Sequence, residues 1–151
     1  MAEYLSVAPQ SVALNNPVLF NTASIPCTSG CVYHEDETGI FILKGKTCNA
    51  FARYQLTFNG NISVPEDGEL TPIGLAIATE GEARPSSLAV FTPQAVDELG
   101  NVTATALVTV PKGCCFSASV RYVDATSLDP ATEPTPVINV QNANLVITRV
   151  A

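Results

Sequence analysis

The stretch VTATALVTV, residues Val102–Val110, alternates strictly between two kinds of side chain. Its even-numbered positions hold valine or alanine, and the positions between them hold threonine or leucine. Because successive side chains of a strand point to opposite faces, this period of two predicts a β-strand with its valine and alanine face toward a core. The other face, with Thr103, Thr105, Leu107 and Thr109, is predicted to be weakly polar.

Similar strands, separated by turns, are predicted along most of the chain. Residues 50–59 and 71–79 alternate in the same way, and Asn59-Gly60 is typical of a turn. The only helical turn is predicted at 93–96, where Pro93 occupies a favourable first position. Turns recur at intervals of roughly 8–12 residues, as in sandwiches and barrels. We therefore expect one all-β domain with about ten short antiparallel strands.

Composition narrows the range of partners. The 151 residues are 46% hydrophobic and only 14% charged, with a net charge of −7 and no basic cluster. Binding to nucleic acid or to an anionic membrane is therefore disfavoured, since both need clustered lysine and arginine. Threonine-rich strand faces with so little charge favour burial against other subunits, so we expect an oligomer.

The amino-terminal residues are predicted to stand apart from the core. Residues 1–10 are short and weakly apolar, and we expect them to form an extended arm before a single domain at 11–151. Glu3 lies where a signal peptide needs positive charge, and no long apolar run follows it. We therefore expect synthesis in the cytoplasm of the producing cell.

Five cysteines leave three interpretations open. They are Cys27, Cys31, Cys48, Cys114 and Cys115. Free thiols are expected in a reducing compartment. Oxidation after release could instead join Cys27 to Cys31, or Cys48 to one member of the 114/115 pair. A zinc half-site of Cys27, Cys31 and His34 is the third interpretation, but our prediction is that the chain holds no metal and has free thiols.

Residue types that carry catalysis are sparse. The single histidine, His34, lies in the acidic stretch HEDE at 34–37, which is typical of a solvated turn. No Gly-x-Ser-x-Gly motif presents a nucleophile to it, and no glycine-rich phosphate loop is present. We predict no enzymatic activity, no cofactor and a loss of under about 1 kcal/mol on His34→Ala, as for an exposed turn residue.

Several short motifs, taken in order, resemble a known family. They are FNGNI at 58–62, PIGLAI at 72–77, VTVPKGC at 108–114 and VQNANLVI at 140–147. In this order they resemble the jelly roll of C1q/TNF-like domains. Across nearly the whole chain the sequence is similar to small structural proteins of phages and prophages of gut Firmicutes. More distantly it resembles the carboxy-terminal domains of collagen-like spore-surface proteins, although these 151 residues contain no Gly-x-y stalk.

The resemblance implies a ten-strand jelly roll that assembles as a homotrimer around an inner sheet. It places 72–78, 102–110 and 140–150 in that sheet and implies interface positions at Ile73, Leu75, Ile77, Thr103, Thr105, Leu107, Leu145 and Ile147. It transfers no catalytic residue. The expected function is that of a phage virion protein, a capsid decoration or head-fibre module whose partners are its own copies and the capsid. The alternative is a receptor- or glycan-binding adhesin on a phage tail or on a cell or spore surface.

Overall fold

The chain folds into two antiparallel β-sheets that face each other. A computed structural model describes residues 1–125 and 136–151, so most of the loop predicted at 124–136 lies outside the described residues. The prediction of an all-β sandwich is confirmed. Within the described residues the only helix is a single 3₁₀ turn, Pro85–Ser87.

The first sheet contains both ends of the chain. Its strands are β1 (Ala2–Ser6), β2 (Gln10–Ala13), β3 (Thr22–Ile25), β6 (Phe51–Ser63), β10 (Gly100–Pro111) and β12 (Val137–Arg149). Their spatial order is β10-β6-β12-β1-β3, and β2 continues the line of β1 along β12. Strand β12 changes register between Gln141 and Asn144, where Asn142 has a positive φ of 53°. This irregularity marks the change from β2 to β1 as its partner.

The second sheet is built from shorter strands. They are β4 (Val32–His34), β5 (Phe41–Lys44), β7 (Ile73–Thr79), β8 (Glu82–Ala83), β9 (Ala89–Phe91) and β11 (Cys115–Asp124). Their order is β4-β5-β11-β7-β8, and β9 also pairs with β7.

One core fills the space between the sheets. The largest fully buried side chains include Tyr54, Phe20, Phe41 and Phe58. The predicted alternation of 102–110 is confirmed, because every even-numbered residue from Val102 to Val110 is buried and every odd-numbered one is exposed. Burial of the valine and alanine side chains is favourable, so the hydrophobic effect fixes which face of this strand points toward the core.

The expected amino-terminal arm is instead an interior strand. Residues Ala2–Ser6 pair with β12 on one side and with β3 on the other. Ala2 and Tyr4 are buried in the core, at 0% and 4% exposure. Alternation over only five residues is too short a pattern for the sequence to distinguish this strand from an arm.

Strand β7 lies in the second sheet, apart from β10 and β12, so the resemblance misplaced residues 72–78. Both faces of β7 are buried. The large side chains face the core, and on the other face a Cβ atom at Gly74 would lie 3.1 Å from the Leu88 side chain. At the edge of the strand the Ser87 hydroxyl accepts a hydrogen bond from the backbone N–H of Ile77 at 2.9 Å.

Two local predictions were wrong. Asn59-Gly60 is part of β6, where the two residues pair with Thr103 and Val102. The hydrogen bonds of the sheet pair the backbone N–H and C=O groups here, so the strand is favoured over a turn. A Cβ atom at Gly60 would lie 2.8 Å from the Phe58 ring, so the glycine permits close packing inside the strand. Residues 93–96 form bends and a turn without a helix.

Candidate functional site

The outward face of β10, β6 and β12 carries almost no charge. In the register of the sheet, three cross-strand rows read Leu107–Gln55–Thr148, Thr105–Thr57–Val146 and Thr103–Asn59–Asn144. We call these nine residues, together with Asn101 and Asn61, the uncharged face. Leu107 is 58% exposed and lies on the edge strand β10, in the row of this face nearest to Arg53. The only charged residues of the three strands, Arg53 and Arg149, lie at one end of the sheet.

Polar side chains on this face hydrogen-bond to each other. The Thr103 hydroxyl donates to the Asn59 side-chain oxygen at 3.2 Å, and the Asn101 amide donates to that of Asn61 at 3.2 Å. Their hydrogen-bonding capacity is thus partly used within the sheet, which lowers the cost of removing the face from water.

Of the eight predicted interface residues, three are exposed and five belong to the core of the chain itself. Thr103, Thr105 and Leu107 lie on the uncharged face. The side chains buried inside the sandwich are those of Ile73, Leu75, Ile77, Leu145 and Ile147. They are therefore occupied by contacts within one chain, and the interface itself stays a prediction that rests on the three exposed residues.

All five cysteines gather at one end of the sandwich, which we call the cysteine end. The carbonyl of Cys31 accepts a hydrogen bond from Lys44 N–H at 2.8 Å. The carbonyl of Cys114 accepts one from Gly45 at 2.8 Å, and Cys115 pairs with Lys44 in the sheet. Cys48 lies in the loop between β5 and β6. The structure shows no disulfide among these five residues, with Cys31 buried and Cys27 half-buried, and their redox state stays a prediction.

Three side chains from other parts of the chain, those of Lys46, Tyr54 and Arg149, contact the loop Cys27–Cys31. Lys46 Nζ donates to the Ser29 carbonyl at 3.2 Å. The Tyr54 hydroxyl donates to the Lys44 carbonyl at 2.6 Å and lies 3.4 Å from the Cys31 carbonyl. Arg149 Nη1 donates to the Cys31 sulfur at 3.6 Å and to the Lys46 carbonyl at 2.8 Å. A guanidinium thus lies directly against one of the two thiols.

The environment of this loop favours thiolate ions. Burial of the Cys27 thiol opposes ionisation, but the Ser29 hydroxyl and the amide groups of residues 29, 31 and 32 together outweigh it and lower the pKa of Cys27 to about 7. The pKa of Cys31 is also lowered, chiefly by the Ser29 hydroxyl and further by Arg149, against the effect of burial. Burial, with Cys31 nearby, raises the pKa of Tyr54 to about 12, so its hydroxyl stays a donor.

His34 lies in an aromatic cluster instead of a solvated turn. Its ring stacks on Phe41 with centroids 4.3 Å apart and lies 5.0 Å from the Tyr4 ring. Its Nε2 lies 3.0 Å from the Thr38 carbonyl oxygen. Among residues 1–125 and 136–151 no three His, Cys, Asp or Glu side chains are placed to hold a metal ion, so the structure does not support the zinc half-site of Cys27, Cys31 and His34.

A cleft of about 760 Å³ opens at the other end of the sandwich. Its walls are mostly apolar and include Val64, Pro72 and Tyr122, and the carboxylates of Asp67 and Glu69 lie along it. Nothing in the sequence pattern indicated this cleft, because its walls come from the ends of strands that are distant in the chain.

The sequence also did not predict which side chains contact the cysteine loop. Arg149 is 118 positions from Cys31, and Tyr54 is 23 positions from it. The spacing of Cys27 and Cys31 was visible in the sequence, but only the pairing of strands brings the cationic and phenolic side chains to them.

Comparison with known proteins supports the fold. No protein-family model matches the chain, and no curated protein sequence matches it. Many solved structures are similar to this chain, and two of them illustrate the match. The globular domain of zebrafish complement 1qA superposes with a TM-score of 0.57 at 15% identity, over 96% of this chain and 94% of that one. Murine APRIL at pH 5.0 gives 0.52 at 12% identity, over 93% of this chain and 96% of that one.

The chain therefore has the jelly-roll β-sandwich fold of C1q and TNF-family domains. Similarity at this level of identity defines the fold alone. In the part of the chain that the structure describes, no helix is long and apolar enough to span a bilayer.

Proposed function

We propose that this chain is a structural module of a bacteriophage particle, displayed on the capsid as a homotrimeric decoration or head-fibre protein without enzymatic activity. The phage assignment is supported by the sequence resemblance across nearly the whole chain. The trimer is supported by the same resemblance and by the chemistry of the first sheet. The partners would be two further copies of the chain and a capsid protein.

The observation that carries the assembly proposal is the edge strand β10. It has 12 residues, lies at the edge of its sheet, and contains no charged residue. Exposed edge strands in monomeric proteins are usually protected by charges, bulges or prolines within the strand. Proline occurs in β10 only at its last position, Pro111. Contact with another subunit would protect both this edge and the uncharged face beside it.

Two measurements test the proposal. Light scattering of the purified chain in solution should give about three times its 15.8 kDa mass. Electron microscopy of particles from producing cells, labelled with an antibody against the chain, should show label on the capsid. A monomer at micromolar concentration would contradict the trimer, and label on a tail tip or a cell surface would contradict the capsid assignment.

The cleft favours a second candidate function, a glycan- or receptor-binding adhesin. Carboxylates beside apolar and aromatic walls are the groups that hold sugar hydroxyls and ring faces in binding sites. Asp67→Asn combined with Glu69→Gln should abolish any binding detected on a glycan array. The matched control is Glu66→Gln, because Glu66 is exposed nearby and does not line the cleft. Binding that survives the double change would exclude the cleft as the site.

A further inference from the structure

The loop Cys27–Cys31 combines features that the proposed structural role does not require. The Ser29 hydroxyl lies 3.3 Å from the Cys27 sulfur, and the same hydroxyl is the main cause of the lowered pKa of Cys31. Cys27 is half-buried and therefore reachable from solvent, whereas Cys31 is buried. Gly30, with a φ of +71°, provides the tight turn between them.

We infer that Cys27 and Cys31 form a redox-active pair, which a low-molecular-weight disulfide oxidises to an intramolecular disulfide, with Cys27 as the attacking thiolate and Cys31 as the resolving thiol. This inference is independent of the phage assignment. It needs only the local geometry and an oxidant of the disulfide class.

The assignment of the attacking role follows from exposure and charge. A nucleophilic thiol must be accessible and ionised near neutral pH. With a pKa of about 7, roughly half of Cys27 is thiolate at pH 7. The Ser29 hydroxyl lies 3.3 Å from this sulfur, and this hydroxyl and the backbone N–H groups of residues 29, 31 and 32 favour the ionised form.

The resolving role of Cys31 follows from Arg149. In the first step the Cys27 thiolate attacks one sulfur of the small disulfide, and the other sulfur leaves as a thiolate. In the second step Cys31 gives its proton to solvent and attacks the Cys27 sulfur, which releases the second small thiol. The guanidinium 3.6 Å from the Cys31 sulfur stabilises the thiolate needed for that step. Two protein thiols are oxidised and one small disulfide is reduced to two thiols.

The sequence allows a direct test on the full-length chain. The first lysine or arginine is Lys44, so the tryptic peptide 1–44 contains Cys27 and Cys31 and no other cysteine. Cys48 falls in peptide 47–53, and Cys114 with Cys115 in peptide 113–121. The protein is incubated with oxidised glutathione at pH 7, alkylated and digested. Peptide 1–44 should resist alkylation and be lighter by two hydrogens than the reduced peptide.

Substitutions separate the two steps. Cys31→Ser should stop at a glutathione adduct on Cys27, whereas Cys27→Ser should form no adduct at a comparable rate. The triple variant Cys48→Ser, Cys114→Ser, Cys115→Ser should form the bridge as the wild type does. Adduct formation at Cys31 in Cys27→Ser as fast as at Cys27 in Cys31→Ser would overturn the assignment of roles.

The neighbours of the sulfurs supply two further readouts. Ser29→Ala should move the midpoint of the pH–rate profile for adduct formation above 7, and Thr28→Ala in the same loop is the matched control. Arg149→Gln should slow closure of the bridge by about threefold to tenfold and leave adduct formation on Cys27 unchanged. Arg149→Lys, which keeps the charge, should restore much of the rate.

The wild-type experiment decides the inference even if a variant fails to fold. If both cysteines of peptide 1–44 remain open to alkylation while glutathione is predominantly oxidised, the pair is not redox-active. If the missing hydrogens map to a link with Cys48, Cys114 or Cys115, the assigned partner is wrong.

Discussion

The side-chain amide of Asn144 donates a hydrogen bond to the carboxylate of Glu3, 141 positions earlier in the chain. The other carboxylate oxygen of Glu3 accepts a hydrogen bond from the Ser24 hydroxyl at 2.6 Å. One carboxylate therefore connects β1 to both of its neighbours, β12 and β3. The first residues of the chain are held in the sheet by side chains as well as by the backbone.

These two bonds predict how Glu3→Gln changes the acid sensitivity of the fold. Hydrogen bonds from Ser24 and Asn144 favour the ionised carboxylate and lower the pKa of Glu3 below its ordinary 4.5. The stability they add is present above about pH 4.5 and is lost as the pH falls through the lower, folded-state pKa. In urea denaturation, the free energy of unfolding should fall less between pH 7 and pH 3 in Glu3→Gln than in the wild type.

Glu66→Gln is the control for this experiment, because it removes the same charge from an exposed turn. If the free energy of unfolding depends on pH in the same way in the Glu3 and Glu66 variants, the contacts of Glu3 contribute nothing to the acid sensitivity of the fold.

The interior position of β1 predicts a large effect of Tyr4→Ala. The Tyr4 ring is 4% exposed and packs edge-on against Phe41 with centroids 4.7 Å apart. Its truncation should lower the free energy of unfolding by about 3 kcal/mol, as for other buried aromatic residues. Tyr33→Ala, at a site that is 56% exposed, should change it by less than about 0.5 kcal/mol. Equal effects in chemical denaturation would contradict this placement of the first strand.

The uncharged face predicts where a charge disrupts assembly. Leu107→Lys places an ammonium on the part of that face carried by the edge strand β10, and burying it against another subunit without a partner is costly. The variant should be a folded monomer by light scattering and circular dichroism. Val90→Lys changes a valine that is 51% exposed on the opposite sheet and should leave the oligomer intact. A trimer in the Leu107 variant would place the interface elsewhere.

The stacking of His34 revises the expected cost of removing it. His34→Ala loses the ring contact with Phe41 and the interaction with the Thr38 carbonyl, so we expect a loss of about 1–2 kcal/mol. His34→Phe retains the stack and should recover about half of that loss. A change below about 0.5 kcal/mol in the alanine variant would restore the interpretation of a solvated turn.

The sequence was most informative where one face of a strand is buried and the other is solvated. Residues 102–110 satisfy that condition, and the sequence alone predicted their alternation correctly. Strand β7 does not, because both of its faces are buried. Its large and small residues therefore gave no indication of which sheet it joins.

Contacts between distant parts of the chain account for the other errors. The turn signal at Asn59-Gly60 is a local preference, and 12 cross-strand pairs with β10 override it. The acidic residues after His34 suggested a solvated turn, but the half-buried ring stacks on Phe41, which lies on the neighbouring strand. For the cysteine loop the sequence revealed the pair of thiols but not the arginine that adjoins them.

The antiparallel pairing of β1 with β12 also fixes how the molecule responds to force. Ala2 lies opposite Ile147, so the two termini are side by side. A load that pulls them apart opens the β1–β12 ladder from its outer end, one pair of hydrogen bonds at a time. A load between residue 151 and the turn at Gly68 instead pulls β12 and β6 along their lengths in opposite directions. Their shared ladder then resists as a whole, so the domain is mechanically weak when stretched by its two ends and strong along its long axis.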